Sequence, residues 1–287
     1  MQKINRILIT GGTGFLGRNI CRSLVENKME VCLLVRKTSN VDLINDFLKS
    51  VKVVVIGSDK WRNEVFSWNA DCFLHFATSY GRKNESIVDI NLSNVVFPLE
   101  LLKIAEEMKT PPLFINTDTS LPRDVNTYSR SKKYFLECLR NSEKLPRMVN
   151  IILESFYGPG DGQFMSIMAN KIKQNVDEID LTLGTQKRDY LFYKDVISAY
   201  MKIIEVSQKQ SKRYEEYELG SGEAYTIKSI IKIMLEESGN TMTQINWGAV
   251  KYRENEVMYS VANISKIRSL GWSPQISIED GVKELIK

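Results

Sequence analysis

The segment Ile7-Leu8-Ile9-Thr10-Gly11-Gly12-Thr13-Gly14-Phe15-Leu16-Gly17 is an apolar strand entering a glycine-spaced turn. Arg18-Asn19-Ile20-Cys21-Arg22-Ser23-Leu24-Val25 leaves that turn with the period of an amphipathic helix. Strand, G-x-x-G-x-x-G turn and helix, in that order, meet the physical requirement for holding a dinucleotide pyrophosphate. Glycines let the backbone turn tightly and approach the phosphates, and a helix start offers N–H groups and the positive end of its dipole. On this reading Gly11, Thr13, Gly14, Phe15, Leu16 and Gly17 line the cofactor. Three spaced glycines alone would describe an ordinary turn; the agreement of all three elements favours the cofactor.

Strand and helix patterns alternate from there. Strands are expected at about 5–10, 31–35, 52–56, 72–76, 113–117 and 148–153, with the longest helices near 87–109 and 129–142. Runs such as Val53-Val54-Val55-Ile56 predict strands covered on both faces, as in a parallel sheet. The expected class is therefore α/β, a doubly wound parallel sheet. Pro98, inside the first long helix, should kink or break it. After Gly158-Pro159-Gly160 the elements shorten and Lys, Glu and Ser become frequent. This suggests a dinucleotide-binding domain over 1–160 and a smaller, mixed substrate-binding region over 161–287, with 187–206 a candidate to return to the first domain.

A chain of 287 residues that is 43% hydrophobic can bury a large core, and a net charge of +4 spread along it argues against nucleic acid as partner. Cys21, Cys32, Cys72 and Cys138 are scattered without a C-x-x-C pair, the pattern of buried reduced thiols. No apolar stretch is long enough to span a bilayer and no signal-peptide pattern is seen, so a cytoplasmic protein is expected.

The second strand ends Leu33-Leu34-Val35-Arg36-Lys37-Thr38-Ser39, where an NAD-binding unit usually carries an acid. A carboxylate would repel a 2′-phosphate, whereas Arg36 and Lys37 would pair with it. NADP(H) is the expected cofactor, with NAD(H) the alternative. Asp59, after the third strand, could accept from the adenine amino group or serve only a turn. Tyr128-Ser129-Arg130-Ser131-Lys132 puts a phenol and an ammonium one helical turn apart, on one face. A nearby ammonium and a positive nicotinamide ring favour the phenolate and bring a pKa of about 10 toward the working range. Upstream, Leu113-Phe114-Ile115-Asn116-Thr117-Asp118-Thr119-Ser120 reads as a strand with a hydroxyl-rich carboxyl end, where open α/β sheets bind ligands.

Taken together, Thr10 to Gly17, the Thr119/Tyr128/Lys132 set, Tyr157-Gly158-Pro159-Gly160, Arg188-Asp189-Tyr190 with Asp195, and the closing Asn263-Ile264-Ser265-Lys266 to Leu270-Gly271-Trp272-Ser273-Pro274 resemble the extended short-chain dehydrogenase/reductases acting on nucleotide sugars. The resemblance covers nearly the whole chain and implies a Rossmann-type fold. It implies that Tyr128 exchanges the proton at the sugar oxygen, that Lys132 bonds the nicotinamide ribose and tunes Tyr128, and that Thr119 orients the substrate. Thr117 competes for that last role or lies at the cofactor. By the same resemblance Ala77 and Thr78 line the nicotinamide ribose, while Tyr157 and Arg188 meet the nucleotide sugar. Single His75 falls in a family segment packed near the cofactor; it lacks partners for a metal, and no metal is expected.

Two departures from the family narrow the reaction. The related 4,6-dehydratases carry Asp-Glu directly after the catalytic Thr, but Thr117 is followed by Asp118-Thr119 and Thr119 by Ser120-Leu121. The loop from Thr119 to Tyr128 is also shorter than in many epimerases. Leu181 to Tyr190 and Leu153 to Gly160 resemble synthases of 3,6-dideoxyhexoses. The implied activity is NADPH-dependent reduction of the C4 keto group of a nucleoside-diphosphate (di)deoxy sugar, in surface-polysaccharide biosynthesis. A C4 epimerase with resident NAD(H) is the alternative, and a non-catalytic dinucleotide sensor a third reading. Family members commonly pair through the helices expected near 87–109 and 129–142, which implies a homodimer.

Overall fold

The computed structural model describes residues 3–82, 84–209 and 211–287. The six expected strands are β1 (Arg6–Thr10), β2 (Glu30–Val35), β3 (Val51–Val55), β4 (Cys72–His75), β5 (Leu113–Thr119) and β6 (Met148–Leu153). A seventh, Tyr214–Leu219, joins them in one parallel sheet, in the order Tyr214–Leu219, β6, β5, β4, β1, β2, β3. β1 lies centrally, with Thr10 opposite Leu34 of β2 on one side and His75 of β4 on the other. Ile7, Leu8 and Ile9 are wholly buried because helices cover both faces of the sheet, the reason the strand reads as one unbroken apolar run. The seventh strand gives no such signal. Its sequence Tyr-Glu-Glu-Tyr-Glu-Leu belongs to a sheet edge, where charged side chains guard an open ladder.

Pro98 breaks the long helix as its chemistry requires. α3 (Ile87–Asn91) passes into a π turn, Leu92–Val96, before α4 (Phe97–Glu107) begins with Pro98 in its first turn. Proline lacks an N–H and its ring crowds the carbonyl four residues back, so the turn ahead of it widens. α5 (Thr127–Arg140) starts on a reciprocal cap: the Asn126 side chain accepts from Ser129 N–H at 2.8 Å, and Ser129 Oγ accepts from Asn126 N–H at 3.2 Å.

The chain divides into two compact units, Met1–Ile152 with Tyr200–Tyr217, and Leu153–Ala199 with Glu218–Lys287. It thus crosses between them three times rather than once near 160. The segment 187–206 is itself divided. Tyr190–Phe192 pairs in parallel with Ser155–Tyr157 in a small separate sheet, while the helix α7 (Tyr193–Ser207) carries its final turns into the first unit. The second unit closes around Tyr157, Met165, Ile172, Ile230 and Val282. Asp189, fully buried, fastens its loops by accepting from Ser221 N–H, Gly222 N–H and Ala262 N–H at 2.7, 3.0 and 3.2 Å. Among the described residues no helix is long and apolar enough to cross a membrane.

Candidate active site

The glycine turn has the form its spacing predicts. Gly11 has φ +72°, and a Cβ there would sit 2.7 Å from Ala77 N, so only glycine fits where β1 passes the end of β4. A Cβ on Gly17 would come within 2.2 Å of the Gly11 carbonyl oxygen, so the third glycine lets α1 (Phe15–Glu26) rise directly from the turn. That helix begins at Gly14 with no side-chain cap and no acid in its first turn, which leaves its positive end to an anion. Arg36 and Lys37 follow β2 in a turn closed by Arg36 N–H donating to Ser39 Oγ at 3.0 Å. Both side chains are exposed, and neither has an ion-pair partner among the described residues. Asp59 is exposed in the turn before α2 (Trp61–Trp68). The donor set, cationic and uncapped, fits a dinucleotide pyrophosphate.

The end of β4 is held by polar bonds. Thr10 Oγ1 meets His75 Nδ1 at 2.8 Å and accepts from Ala77 N–H at 3.2 Å. His75 is buried among Phe97, Phe114 and Phe135, and burial, reinforced by the Lys132 charge, holds its pKa well below the usual histidine range. It is a neutral structural residue.

Tyr128 meets Thr119, and Lys132 follows one helical turn along α5. The Thr119 hydroxyl bonds the Tyr128 phenol and also accepts from Leu121 N–H at 3.2 Å, so its own proton is free for the phenol oxygen. The Tyr80 ring packs tilted against Tyr128, with centroids 5.0 Å apart. Burial pushes the Tyr128 pKa up, with Tyr80 and Asp118 adding to it and the bonds from Thr119 and the charge on Arg82 opposing. Burial thus favours the neutral phenol form of Tyr128. Enclosure outweighs the charge on Arg82. Thr117, two residues earlier, spends its hydroxyl on Tyr200 at 2.6 Å.

Lys132 is only 2% exposed, and burial pushes its ammonium down to about 8 from the ordinary 10.5, against the opposing pull of Asp118. A lysine whose folded pKa lies below its unfolded one weakens the fold while it is charged, and the fold gains stability as pH rises from about 8 to 10.5. Lys132→Met should therefore raise the Tm of the cofactor-free protein at pH 7 by the equivalent of about 1–3 kcal/mol, and flatten the rise in Tm above pH 8. Thermal denaturation at pH 7 and pH 10 checks both; a lower Tm for the variant at pH 7 would refute it.

Sequence reasoning missed Asn94. It lies in the π turn, 1% exposed, with all of its hydrogen-bonding capacity used. Its Oδ1 accepts from Ser79 N–H at 2.7 Å and Thr78 Oγ1 at 3.1 Å; its Nδ2 donates to Ser79 O and to Ser131 Oγ, each at 2.9 Å. Ser131 Oγ donates on to Tyr128 O at 2.7 Å. The loop after β4 is thereby tied to the turn of α5 that carries Tyr128 and Lys132. An asparagine four residues before an intrahelical proline was the available signal.

The two residues expected at the substrate lie in the second unit, and their polar groups are already engaged there. Tyr157 is 1% exposed, its ring edge-on to Tyr190 and Phe192 and its hydroxyl donating to Ile278 O at 3.5 Å. It is a core residue: a Cβ on Gly281 would collide with that hydroxyl. Arg188 forms an ion pair with Glu256 at 2.5 Å.

Comparison with known proteins shows the family. Residues 7–220 match the model of the NAD dependent epimerase/dehydratase family. The chain is 32% identical to a CDP-abequose synthase of Salmonella muenchen over 100% of this chain and 99% of that protein. It is 25% identical to a dTDP-4-dehydro-6-deoxyglucose reductase of Escherichia coli, over 99% and 97% of the two chains. Among solved structures, a UDP-glucose 4-epimerase of Thermotoga maritima with UDP-glucose superposes with a TM-score of 0.84 at 20% identity, covering 98% of this chain and 97% of that one.

Proposed function

Since the chain belongs to the NAD dependent epimerase/dehydratase family, and so to the nicotinamide-dependent oxidoreductases that modify nucleotide sugars, we propose that it reduces the C4 keto group of a nucleoside-diphosphate 4-keto-(di)deoxy sugar with NADPH, for surface-polysaccharide synthesis. The arrangement that supports this reading is the Tyr128 phenol bonded to Thr119, one helical turn from the buried Lys132. Reduction of a ketone needs a proton donor at the oxygen, and a phenol that is protonated at rest is ready for that direction. Thr119 aligns the carbonyl oxygen beside the phenol, and Lys132 stabilises the phenolate left after proton transfer. Gly11 to Gly17 would hold the pyrophosphate, with Ala77 and Thr78 toward the ribose, and the bound cofactor would supply the hydride. Arg188 is retained as a contact to the nucleotide, which requires its exchange from Glu256.

The test is oxidation of NADPH and NADH, followed at the nicotinamide absorbance, with nucleotide-linked 4-keto-6-deoxy and 4-keto-3,6-dideoxy sugars. Turnover with NADPH is expected. Inversion of a 4-hydroxy nucleotide sugar without added cofactor, and no oxidation of either nucleotide, would establish the epimerase instead. Arg36→Ala is expected to raise the KM for NADPH roughly tenfold while leaving NADH unchanged, since a charge-assisted pair to a phosphate is worth about 1.5–3 kcal/mol. An equal change for both cofactors would remove the 2′-phosphate role.

The same reading includes a homodimer. Ile87 and Val88 are 66% and 65% exposed, and Leu92, Val96 and Tyr134 about half exposed, an apolar face on the α3, π-turn and α5 region of the first unit. Val88→Asp with Leu92→Asp should convert a dimer to a monomer in sedimentation equilibrium. A monomeric parent protein would end this part of the proposal.

A further inference from the structure

Lys133, immediately after Lys132, takes no part in the chemistry above, yet its ammonium is committed twice at the end of β5. Nζ donates to Asp118 Oδ2 at 2.6 Å and to the Thr119 carbonyl oxygen at 2.6 Å. The Asp118 side chain is fully buried, and its other oxygen, Oδ1, has no hydrogen-bond partner among the described residues. Consecutive helical residues point about 100° apart, so α5 can direct Lys132 toward one side and return Lys133 to the strand. Two directional, charge-assisted bonds to adjacent groups fix both the backbone at Thr119 and its separation from α5. The Thr119 hydroxyl meets the Tyr128 phenol across that same separation.

We propose that Asp118 and Lys133 form a positioning pair that pins the end of β5 to α5 and so holds the Thr119 hydroxyl on Tyr128. The proposal rests on the catalytic reading of Thr119 and Tyr128. It also gives Asp118 a use different from proton donation: its carboxylate is spent on Lys133.

Lys133→Met or Asp118→Asn alone leaves one buried partner unpaired and can impair folding. The informative variant is the double one, Asp118→Asn with Lys133→Met, which removes both charges together. The expected result is a Tm near the parent value, with faster amide hydrogen exchange over 113–126 in the cofactor-free protein. With NADPH and a nucleoside-diphosphate 4-keto-6-deoxy sugar, kcat should fall roughly ten- to a hundredfold at an unchanged KM for NADPH, because a displacement of about 1 Å at reacting groups has effects of that size. Lys133→Arg, which can bridge the same two acceptors, should recover most of kcat. Unaltered exchange over 113–126 in the double variant overturns the proposal even without a kinetic assay. Thr119→Val separates the two failures. If it abolishes turnover while the double variant turns over normally, the pair is only structural and the catalytic reading stands. If Thr119→Val turns over normally, the catalytic reading falls and the positioning proposal falls with it.

Discussion

Tyr128→Phe should lower kcat for ketone reduction by roughly a hundred- to ten-thousandfold, the span associated with a positioned general acid. The substitution removes a single oxygen. The ring still packs against Tyr80 at the observed 5.0 Å, and the Asn126–Ser129 cap that starts α5 is untouched. The loss should therefore appear in kcat, with NADPH binding, measured by quenching of its fluorescence, unchanged. Removing the phenol also removes an acceptor from Thr119, whose hydroxyl keeps its bond from Leu121 N–H and can turn toward solvent, so the cost in stability should be under about 1 kcal/mol. A variant that reduces the ketone at the parent rate would show that the proton comes from elsewhere, and the assignment of Tyr128 would have to be withdrawn.

The second large effect is expected at Gly17. Alanine is the better helix former by about 1 kcal/mol, so at an unconstrained helical site this change would stabilise. Here the added Cβ would stand 2.2 Å from the Gly11 oxygen and 3.0 Å from Gly12 Cα, both backbone atoms that no side-chain rotation can move aside. Overpacking of this kind costs about 1–3 kcal/mol, equivalent to several degrees in Tm. The displaced atoms belong to the turn that would receive the pyrophosphate, so the Kd for NADPH should rise by about a hundredfold or more, beyond what the loss of stability alone explains. Gly14→Ala is the useful control. Its Cβ would meet only the Gly11 oxygen, at 3.2 Å, and Gly14 is exposed, so Tm should hardly move while cofactor binding still weakens. Parent-like NADPH affinity in Gly17→Ala would mean that the cofactor does not use this turn.

How much of this could be read in the sequence depended on how local each cause is. The glycine turn, the five inner strands and the break at Pro98 are dictated by backbone sterics and by burial on both faces, and both leave their mark within a few residues; β3, whose apolar run predicted the same cover, is instead an edge strand with only Val54 buried. Tyr128 and Lys132 were legible because helical spacing alone brings them to one face. The pKa of Tyr128 was not, since it depends on enclosure by Tyr80, 48 positions away and brought in by the loop after β4. Asn94 left only the faint signal of its place before Pro98: its four bonds go to Thr78, Ser79 and Ser131 in two other segments, and an asparagine in a helix otherwise reads as a poor helix former. The edge strand Tyr214–Leu219 lacked a hydrophobic pattern because only part of it is covered. Tyr157 and Arg188 show the reverse case. Their surroundings in the sequence resemble a substrate site, yet a core position and an ion pair account for their side chains in the second unit.

The three crossings between units bear on how the chain assembles on the ribosome. β6 emerges about sixty residues before the strand that completes its outer edge, and Tyr200, whose hydroxyl bonds that of Thr117, also arrives late. Until residue 219 is free, the nascent sheet ends in an unpaired β6 whose Met148, Val149 and Ile151 are apolar, the kind of edge that recruits other strands. Native pairing there has a long sequence separation and so is slow to form. A fragment ending near 160, although it contains the whole glycine turn together with Tyr128 and Lys132, would keep that edge open permanently; aggregation rather than cofactor binding is its expected fate.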